Sequence, residues 1–251
     1  MSGHSTWSSI KHKKGAADAK RGKLFSKLSR AIIVAAREGG PDPAANLALQ
    51  NAVEKARSYS MPKDNIERAI AKGVGADAEG ADFETVVYEG YGPEGVAVLV
   101  EALTDNRNRT ASEVRHLFSK HGGNLGATGA VAWQFERRGL VLVDAEDVDE
   151  EALLLTAAEA GAEDVSLDGS TFEVSSAPES LSAVREALEA AGFRPESAEL
   201  AMVPKTTVAI ADESTARRVL RLVEGLEEAD DVQDVYANFD IPEGVLEVVA
   251  S

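Results

Sequence analysis

Apolar residues recur every four positions near the start of the chain, which is the spacing of one helix face. Leu24, Leu28 and Ile32 form such a stripe, and Gly39-Gly40-Pro41 ends it. Similar spacing predicts two more helices, the last of which begins at a proline suited to the first helical turn and stops at Gly73. The pattern therefore predicts a three-helix module. Its helices cover residues 16–39, 44–59 and 61–73.

Beyond residue 82 the apolar residues alternate or form short runs, which is typical of strands. Val96, Val98 and Val100 alternate in one of them, and Thr110 with Glu113 forms a capping box that predicts the start of a helix. Strands are predicted over 83–90, 95–104, 131–135, 140–143, 163–167, 171–175, 197–203, 207–211 and 232–239. Helices are predicted over 110–121, 150–160, 178–191 and 213–228.

The order of these elements predicts an α+β multidomain protein. Residues 137–204 read β-α-β-β-α-β, the order of a ferredoxin-like domain. The elements on either side complete a second such unit if they join in space, so we predict one ferredoxin-like α/β domain inserted into another. The small, acidic segment 73–82 marks a linker. The predicted domains are a basic tail with a helical N-terminal domain (1–80), a discontinuous middle domain (81–136 and 205–251) and an inserted acidic domain (137–204).

Composition narrows the class of protein. The chain has 251 residues, 44% of them hydrophobic and none of them cysteine, which excludes disulfides, thiolate chemistry and cysteine-based zinc sites. The sequence shows no secretory signal and no apolar stretch long enough for a membrane span. We therefore expect a cytoplasmic protein without a membrane partner.

Charge is distributed unevenly along the chain. The net charge is -17, but residues 1–75 hold 14 Lys and Arg against 6 Asp and Glu, whereas residues 76–251 hold 12 against 37. A basic segment on an acidic protein favours a polyanion as partner, although a solvated helix face would carry similar charges. The sequence therefore predicts a nucleic-acid-binding module at the N-terminal end.

Two groups of residues are candidates for this contact. Trp7 stands among small polar and basic residues, where it can stack on an unpaired base or anchor a helix. Arg107 and Arg109 flank a predicted helix N-terminus that favours an anion, next to a glycine-rich segment, 122–126, that we expect to be flexible. The candidate nucleic-acid-binding residues are His4, Trp7, Lys11, His12, Lys13, Lys14, Lys20, Arg21, Lys23, Lys27, Arg30, Arg107, Arg109, Arg115 and Lys120.

The sequence offers little for catalysis. Asp105 with His116 or His121 is the one acid–base pair to consider, but no serine elbow, phosphate-binding glycine loop or metal-ligand spacing accompanies it. His4 and His12 have no cysteine or carboxylate at ligand spacing. We expect no enzymatic activity, no catalytic residue, no metal, no cofactor and no small-molecule substrate.

Several unusual strings of residues resemble the YebC/PmpR family across nearly the whole chain. They include SGHS at 2–5, IKHKK at 10–14, MPKDNI at 61–66, YEGYGP at 88–93 and LTDNRNRT at 103–110. Further matching residues lie at 18–23, 25–27, 114–116, 118–120, 122–126 and 238–240.

The resemblance implies a three-domain, non-enzymatic regulator of gene expression. Members are commonly described as DNA-binding transcriptional regulators, which is the function we expect first. Others, including the mitochondrial translational activator of cytochrome oxidase, act at the ribosome. The alternative is therefore a ribosome- or rRNA-binding translation factor that acts on elongation or translational activation.

The chain departs from the family pattern at a few positions. Thr6 stands where lysine is expected, and Ala130 where serine is usual. Residues 47–50 read Leu-Ala-Leu-Gln in place of Pro-Arg-Leu-Arg, which removes two arginines from the second helix.

Overall fold

The computed structural model describes residues 18–75 and 83–250. They form a mixed fold with a helical N-terminal region and mainly antiparallel sheets. Two compact units are present: residues 83–136 with 202–250, and residues 18–75 with 137–201. The three domain boundaries and the insertion of one ferredoxin-like domain into another stay predictions. Within the described residues, no helix is both long and apolar enough to span a bilayer.

The helical N-terminal region contains the three helices that the apolar spacing predicts. Asn46 sets the start of the second one, because its Oδ1 accepts the N–H of Leu49 at 3.1 Å. Its Nδ2 also donates to the carbonyl oxygens of Ala35 (2.7 Å) and Gly40 (2.9 Å). The helix therefore begins later than the predicted residue 44. The helices are α1 Asp18–Gly39, α2 Leu47–Ser58 and α3 Lys63–Val74.

Gly73 does not end α3, contrary to the sequence prediction. A Cβ atom at Gly73 would lie 2.6 Å from the carbonyl oxygen of Ile33 and 2.8 Å from Cβ of Ala36, both on α1. Gly73 therefore permits close packing of α1 and α3. The buried core of this module consists of Leu28, Ile32, Ala35, Ala36, Leu49, Val53, Ala56, Met61, Ile66 and Ala69.

The first unit is built on a four-stranded sheet with the order β3-β1-β2-β9. Its helices pack on this sheet through buried residues that include Val98, Val100, Val114, Phe118 and Leu222. Two short strands, β8 and β10, pair in parallel as a separate sheet. The elements are β1 Glu84–Tyr91, β2 Ala97–Thr104, α4 Arg107–Lys120, β3 Asn124–Leu125, β8 Val208–Ala209, α7 Glu213–Glu228, β9 Val232–Ala237, β10 Phe239–Asp240 and α8 Glu243–Ala250.

Two predictions for this unit are wrong. The predicted strand at 131–135 is instead a 3-10 turn, Ala132–Gln134, because the N–H groups of Val131 and Ala132 donate to the carboxylate of Glu89. The strand predicted over 207–211 pairs with β10 and not with the four-stranded sheet. Of the four strands predicted for the second β-α-β-β-α-β unit, this sheet therefore contains two, those at 95–104 and 232–239.

The start of α4 also differs from the prediction. The helix begins at Arg107, and Asn106 caps it by accepting the N–H of Arg109 at 3.1 Å. Thr110 lies inside the first turn, where its buried hydroxyl donates to a side chain elsewhere in the unit. The capping box predicted at Thr110 and Glu113 is therefore wrong.

The segment predicted as the inserted domain follows the expected element order, β-α-β-β-α-β. Its sheet has the order β5-β6-β4-β7, and β6 pairs antiparallel with both β4 and β5. The two helices bury Leu153 and Leu188 against Val141 and Val174 of the sheet. The elements are β4 Phe135–Asp144, α5 Glu150–Glu159, β5 Ala162–Asp168, β6 Thr171–Ser176, α6 Leu181–Ala190 and β7 Pro195–Pro204.

Candidate nucleic-acid interface

The structure describes only part of the predicted basic N-terminal surface. His4, Trp7, Lys11, His12, Lys13 and Lys14 lie outside the described residues. Lys20 and Arg21 belong to α1, but their side chains are not described. Their part in nucleic-acid binding stays a prediction.

Three candidate cations on α1 have described side chains. Lys23 is exposed and Arg30 is half-buried. Lys27, however, is only 9% exposed, because it lies three residues after Leu24, at the margin of the apolar stripe. Its aliphatic stem can therefore pack beside the core, and the part of Lys27 in nucleic-acid binding stays a prediction.

Arg109 lies at the start of α4 and is held by two carboxylates. Its Nη2 donates to Oδ1 of Asp105 at 2.8 Å and to Oδ2 of Asp231 at 2.7 Å. These contacts raise the pKa of Arg109 further, first through the hydrogen bond to Asp231. Arg109 therefore has anionic partners within the protein, and Asp105 is occupied by Arg109.

Asp231 is the buried acceptor at the centre of this network. Its Oδ2 also accepts hydrogen bonds from Thr110 (2.7 Å) and Thr104 (3.3 Å). Burial raises the pKa of Asp231, but the hydrogen bonds from Arg109 and Thr110 outweigh it, so the pKa lies below its usual value. The network fixes the first turn of α4 against the end of β2.

Arg107 is more open than Arg109. Its side chain is 64% exposed and its Nη1 lies 3.5 Å from Oε2 of Glu84, at the surface. The Tyr88 hydroxyl donates to the Arg107 carbonyl at 3.3 Å. A surface ion pair of this kind contributes little to stability, so a phosphate can displace Glu84 at small cost.

The outward face of α4 carries further cations. Arg115, His116 and Lys120 are exposed, as is the one acidic residue of the helix, Glu113. Among the described residues, no carboxylate lies within ion-pair distance of Arg115 or Lys120. These exposed side chains belong to the predicted second contact, which stays a prediction.

Helix α7 carries three arginines that were not predicted as nucleic-acid-binding residues. Arg218 and Arg221 are exposed, whereas Arg217 is half-buried and donates to the carbonyl oxygen of Val248 at 3.2 Å. Helix α7 packs beside α4: a Cβ at Gly225 would lie 3.4 Å from Leu117 and 3.6 Å from Nε2 of His121. The signal in the sequence was the run of cations on the polar side of an amphipathic helix, but only the fold places that helix next to α4.

The glycine-rich segment after α4 is tightly packed, contrary to the predicted flexible loop. A Cβ at Gly123 would lie 2.5 Å from the carbonyl oxygen of Tyr91, and one at Gly126 would lie 3.0 Å from Cβ of Ala130. Within this segment, β3 pairs with β1. The glycines therefore serve a close backbone approach.

A buried carboxylate holds the loop that follows. Glu89 is 4% exposed and accepts the N–H groups of Gly129 (2.6 Å), Val131 (2.8 Å) and Ala132 (2.8 Å). Burial raises the pKa of Glu89, but these three hydrogen bonds lower it below its usual value. The loop presents Trp133, which is 67% exposed, at the surface.

Two domain families match this chain. Residues 5–76 match the TACO1/YebC protein N-terminal domain, and residues 83–239 match the TACO1/YebC second and third domain. The chain belongs to the TACO1/YebC family. The resemblance to YebC proteins stated from the sequence is thereby confirmed.

Relatives in this family are similar along their full length. A protein of Rubrobacter xylanophilus is 62% identical over 250 residues and covers 100% of both chains. One from Halothermothrix orenii is 53% identical and covers 99% of both chains. Both are named probable transcriptional regulatory proteins.

A solved structure shows the same fold. The crystal structure of a conserved hypothetical protein from Aquifex aeolicus matches with a TM-score of 0.82 at 56% sequence identity. The match covers 93% of this chain and 96% of that chain. The TACO1/YebC fold described above is therefore shared with an experimentally determined relative.

Proposed function

We propose that this chain is a non-enzymatic regulator of gene expression that binds duplex DNA. The proposal rests on the concentration of positive charge in a few segments of an otherwise acidic protein. Residues 1–75 hold 14 basic residues against 6 acidic ones, and of the 12 basic residues after residue 75, seven lie on α4 and α7. Such charge segregation is the electrostatic footprint of a phosphate-binding protein.

The names of the relatives support the same function. Proteins with full-length similarity are named probable transcriptional regulatory proteins, and transcriptional regulators act on DNA. Ribosomal RNA is the alternative partner, because exposed lysines and arginines also bind the phosphates of structured RNA. The proposal includes the N-terminal candidates, among them Lys13 and Lys14, and the α4 candidates Arg107, Arg115 and Lys120.

The proposal is tested by measuring binding of the full chain to duplexes selected from a randomised pool, across a salt series. We expect the dissociation constant to rise steeply with salt, by about 0.9 logarithmic units per phosphate contact for each tenfold increase. A Lys13→Ala/Lys14→Ala variant should bind more weakly and show a shallower salt dependence. A matched control, Arg137→Ala/Arg194→Ala, removes two exposed cations from the acidic segment and should bind like the wild type.

Co-sedimentation with ribosomes distinguishes the alternative. If the wild type binds no selected duplex but sediments with ribosomes in a manner that requires Lys13 and Lys14, the translation factor replaces the DNA-binding regulator. If it binds neither duplex DNA nor ribosomes, the nucleic-acid-binding function itself is wrong.

A further inference from the structure

We infer that α4 and α7 together form a second phosphate-binding surface, whose partner is the sugar-phosphate backbone of duplex DNA. We call it the α4–α7 cationic cluster and define it as Lys120, His116 and His121 of α4 and its C-cap, with Arg218 and Arg221 of α7. The inference rests on the proposed function and adds to it residues that are about 100 positions apart in the sequence.

The two helices bring these side chains together at the end of α4. A Cβ at Gly122, directly after the C-cap, would lie 3.9 Å from Nη1 of Arg218. His121 contacts α7 at Gly225, one helical turn beyond Arg221. Burial is the largest cause of the lowered pKa of His121, and the nearby charges of Lys120 and Arg221 lower this pKa further. The cluster is therefore a single surface made by two helices.

The charge of this surface is largely uncompensated within the protein. Lys120 and Arg221 have no carboxylate within ion-pair distance among the described residues, and both are exposed. Arg218 has Glu94 at 4.0 Å and donates to the Thr215 hydroxyl at 3.4 Å. It also lies near Asp212, whose pKa is lowered first by hydrogen bonds from Thr215 and further by the charge of Arg218. Among the described residues, Lys120 and Arg221 therefore carry positive charge that no nearby carboxylate offsets, and like charges placed side by side repel one another. A bound polyanion would remove that repulsion.

The chemistry of the cluster fits phosphates in a duplex better than a single strand. Proteins that bind single strands combine cations with aromatic side chains on which bases stack. The cluster contains lysine, arginine and histidine on two helices, and its members include no tryptophan, tyrosine or phenylalanine. Lysine and arginine on a helix surface are the residues that contact phosphate oxygens and position a protein on DNA without reading its sequence.

This surface should therefore contribute affinity but little sequence specificity. Removing it is expected to weaken binding to selected and unselected duplexes by a similar factor.

The experiment uses the full chain and a fluorescently labelled duplex of about 20 base pairs, which is long enough to offer several phosphates per strand to both helices. Five proteins are compared: the wild type, Arg218→Ala/Arg221→Ala, Arg218→Lys/Arg221→Lys, Lys120→Ala and the charge-matched control Arg137→Ala/Arg194→Ala. Fluorescence anisotropy gives the dissociation constant at several salt concentrations. Thermal unfolding shows whether each variant is folded.

We expect the alanine variant to bind about tenfold or more weakly at moderate salt, with a salt slope smaller by about 2, one unit for each lost phosphate contact. The lysine variant should keep most of the affinity, because a phosphate contact needs the charge more than the shape of guanidinium. The control should match the wild type. A second variant from the other helix, Lys120→Ala, should lower the slope by about 1.

Three outcomes contradict the inference. If the alanine variant binds like the wild type while the wild type binds duplex tightly, the cluster is not a contact surface and the proposed function stands without it. If a parallel titration shows that the alanine variant binds ribosomal RNA more weakly than the wild type but binds duplex DNA equally well, the surface contacts RNA and duplex DNA is the wrong partner. If the wild type binds no duplex at all, the proposed function fails first.

Discussion

At the scale of single residues, Asp231 shows how one buried carboxylate organises a surface. It accepts hydrogen bonds from Arg109 and Thr110 on α4 and from Thr104 on β2, and its own carbonyl oxygen accepts the N–H of Leu103. The sequence shows Arg109 as a cation at a helix start and gives no sign of Asp231, more than 100 residues away. Contacts of this kind depend on the tertiary fold and cannot be read from a local pattern.

The Asp231→Asn substitution tests this network. The variant should lose about 1–2 kcal/mol of unfolding free energy near neutral pH, because the buried group that accepts hydrogen bonds from Arg109 and Thr110 no longer carries a charge. Since the pKa of Asp231 is lowered in the folded protein, its contribution is complete above the unfolded value of 3.8 and is lost as the pH falls through the folded value. Urea unfolding at neutral and acidic pH should therefore show a difference between variant and wild type that shrinks at low pH. An unchanged difference at both pH values would contradict the assignment.

The contribution of Glu173 to the free energy of unfolding should depend on pH in the opposite direction. It lies on β6 between Leu142 of β4 and Ser166 of β5, and burial, aided by Asp168 and Asp164, raises its pKa to about 7. Between pH 4.5 and about 7, Glu173 is therefore protonated in the folded protein but ionised in the unfolded chain, where its pKa is 4.5. The stabilising contribution is complete below pH 4.5 and is lost as the pH rises through about 7.

The Glu173→Gln variant should remove this dependence. It is neutral at every pH, so its unfolding free energy should change less between pH 5 and pH 8 than that of the wild type, by on the order of 2 kcal/mol. Thermal or urea unfolding over that range measures the effect, with the exposed Glu179→Gln or Glu186→Gln as a control for loss of a surface charge. Parallel pH profiles for Glu173→Gln and the wild type would show that Glu173 is ionised in the folded protein.

At the scale of helices and strands, the parts that local pattern determines were predicted correctly. The helices α1, α2 and α3 follow from apolar spacing, and the six elements from β4 to β7 follow from alternating apolar residues and turn residues. The short strands β3, β8 and β10 were missed or misplaced, because two-residue strands have no periodicity and exist only through distant pairing partners. The same limit applies to Gly73, whose role is the approach of α3 to α1.

The packing role of Gly73 separates it from other helix glycines. Gly73→Ala should lower the unfolding free energy by about 2 kcal/mol, because the added methyl group overlaps the Ile33 carbonyl oxygen. Gly22→Ala, in the open part of α1 with nothing within 4 Å, should instead raise it by up to about 1 kcal/mol through helix propensity. Chemical unfolding of the two variants measures both effects. If Gly73→Ala also stabilised the protein, the helices would have room that the structure does not show.

At the scale of the whole molecule, the acidic segment around 137–204 does more than carry negative charge. Lys55 on α2 lies 3.3 Å from Glu199 on β7, and Arg185 on α6 lies 3.6 Å from Glu54 on α2. The segment thus engages a helix of the basic region, within the same compact unit. The sequence predicted the charge asymmetry and the cations of α4, but it could not predict which cations meet carboxylates or that α7 completes the surface.

Helix α2 lacks two arginines that the family pattern predicts, so restoring one of them should strengthen duplex binding. Ala48 is exposed at the start of this helix, where relatives of this family are expected to carry arginine. If α2 faces the nucleic acid, Ala48→Arg should tighten duplex binding several-fold and steepen the salt dependence by about one phosphate contact. Anisotropy titrations against Ala48→Gln, which has a long uncharged side chain, measure the effect. Equal affinities for the two variants would mean that α2 is not a contact face.

The Glu89 carboxylate makes the loop after β3 a single exchange unit. The N–H groups of Gly129, Val131 and Ala132 all donate to the same carboxylate. All three hydrogen bonds are therefore lost together when that carboxylate is protonated. In deuterated water these amides, although outside regular strands, should exchange as slowly as those of a paired strand, and at a common rate. Acidification that protonates Glu89 should therefore speed the exchange of all three amides at once. Among the described contacts, these hydrogen bonds are the only ones that join the turn of Trp133 to a charged side chain of the sheet.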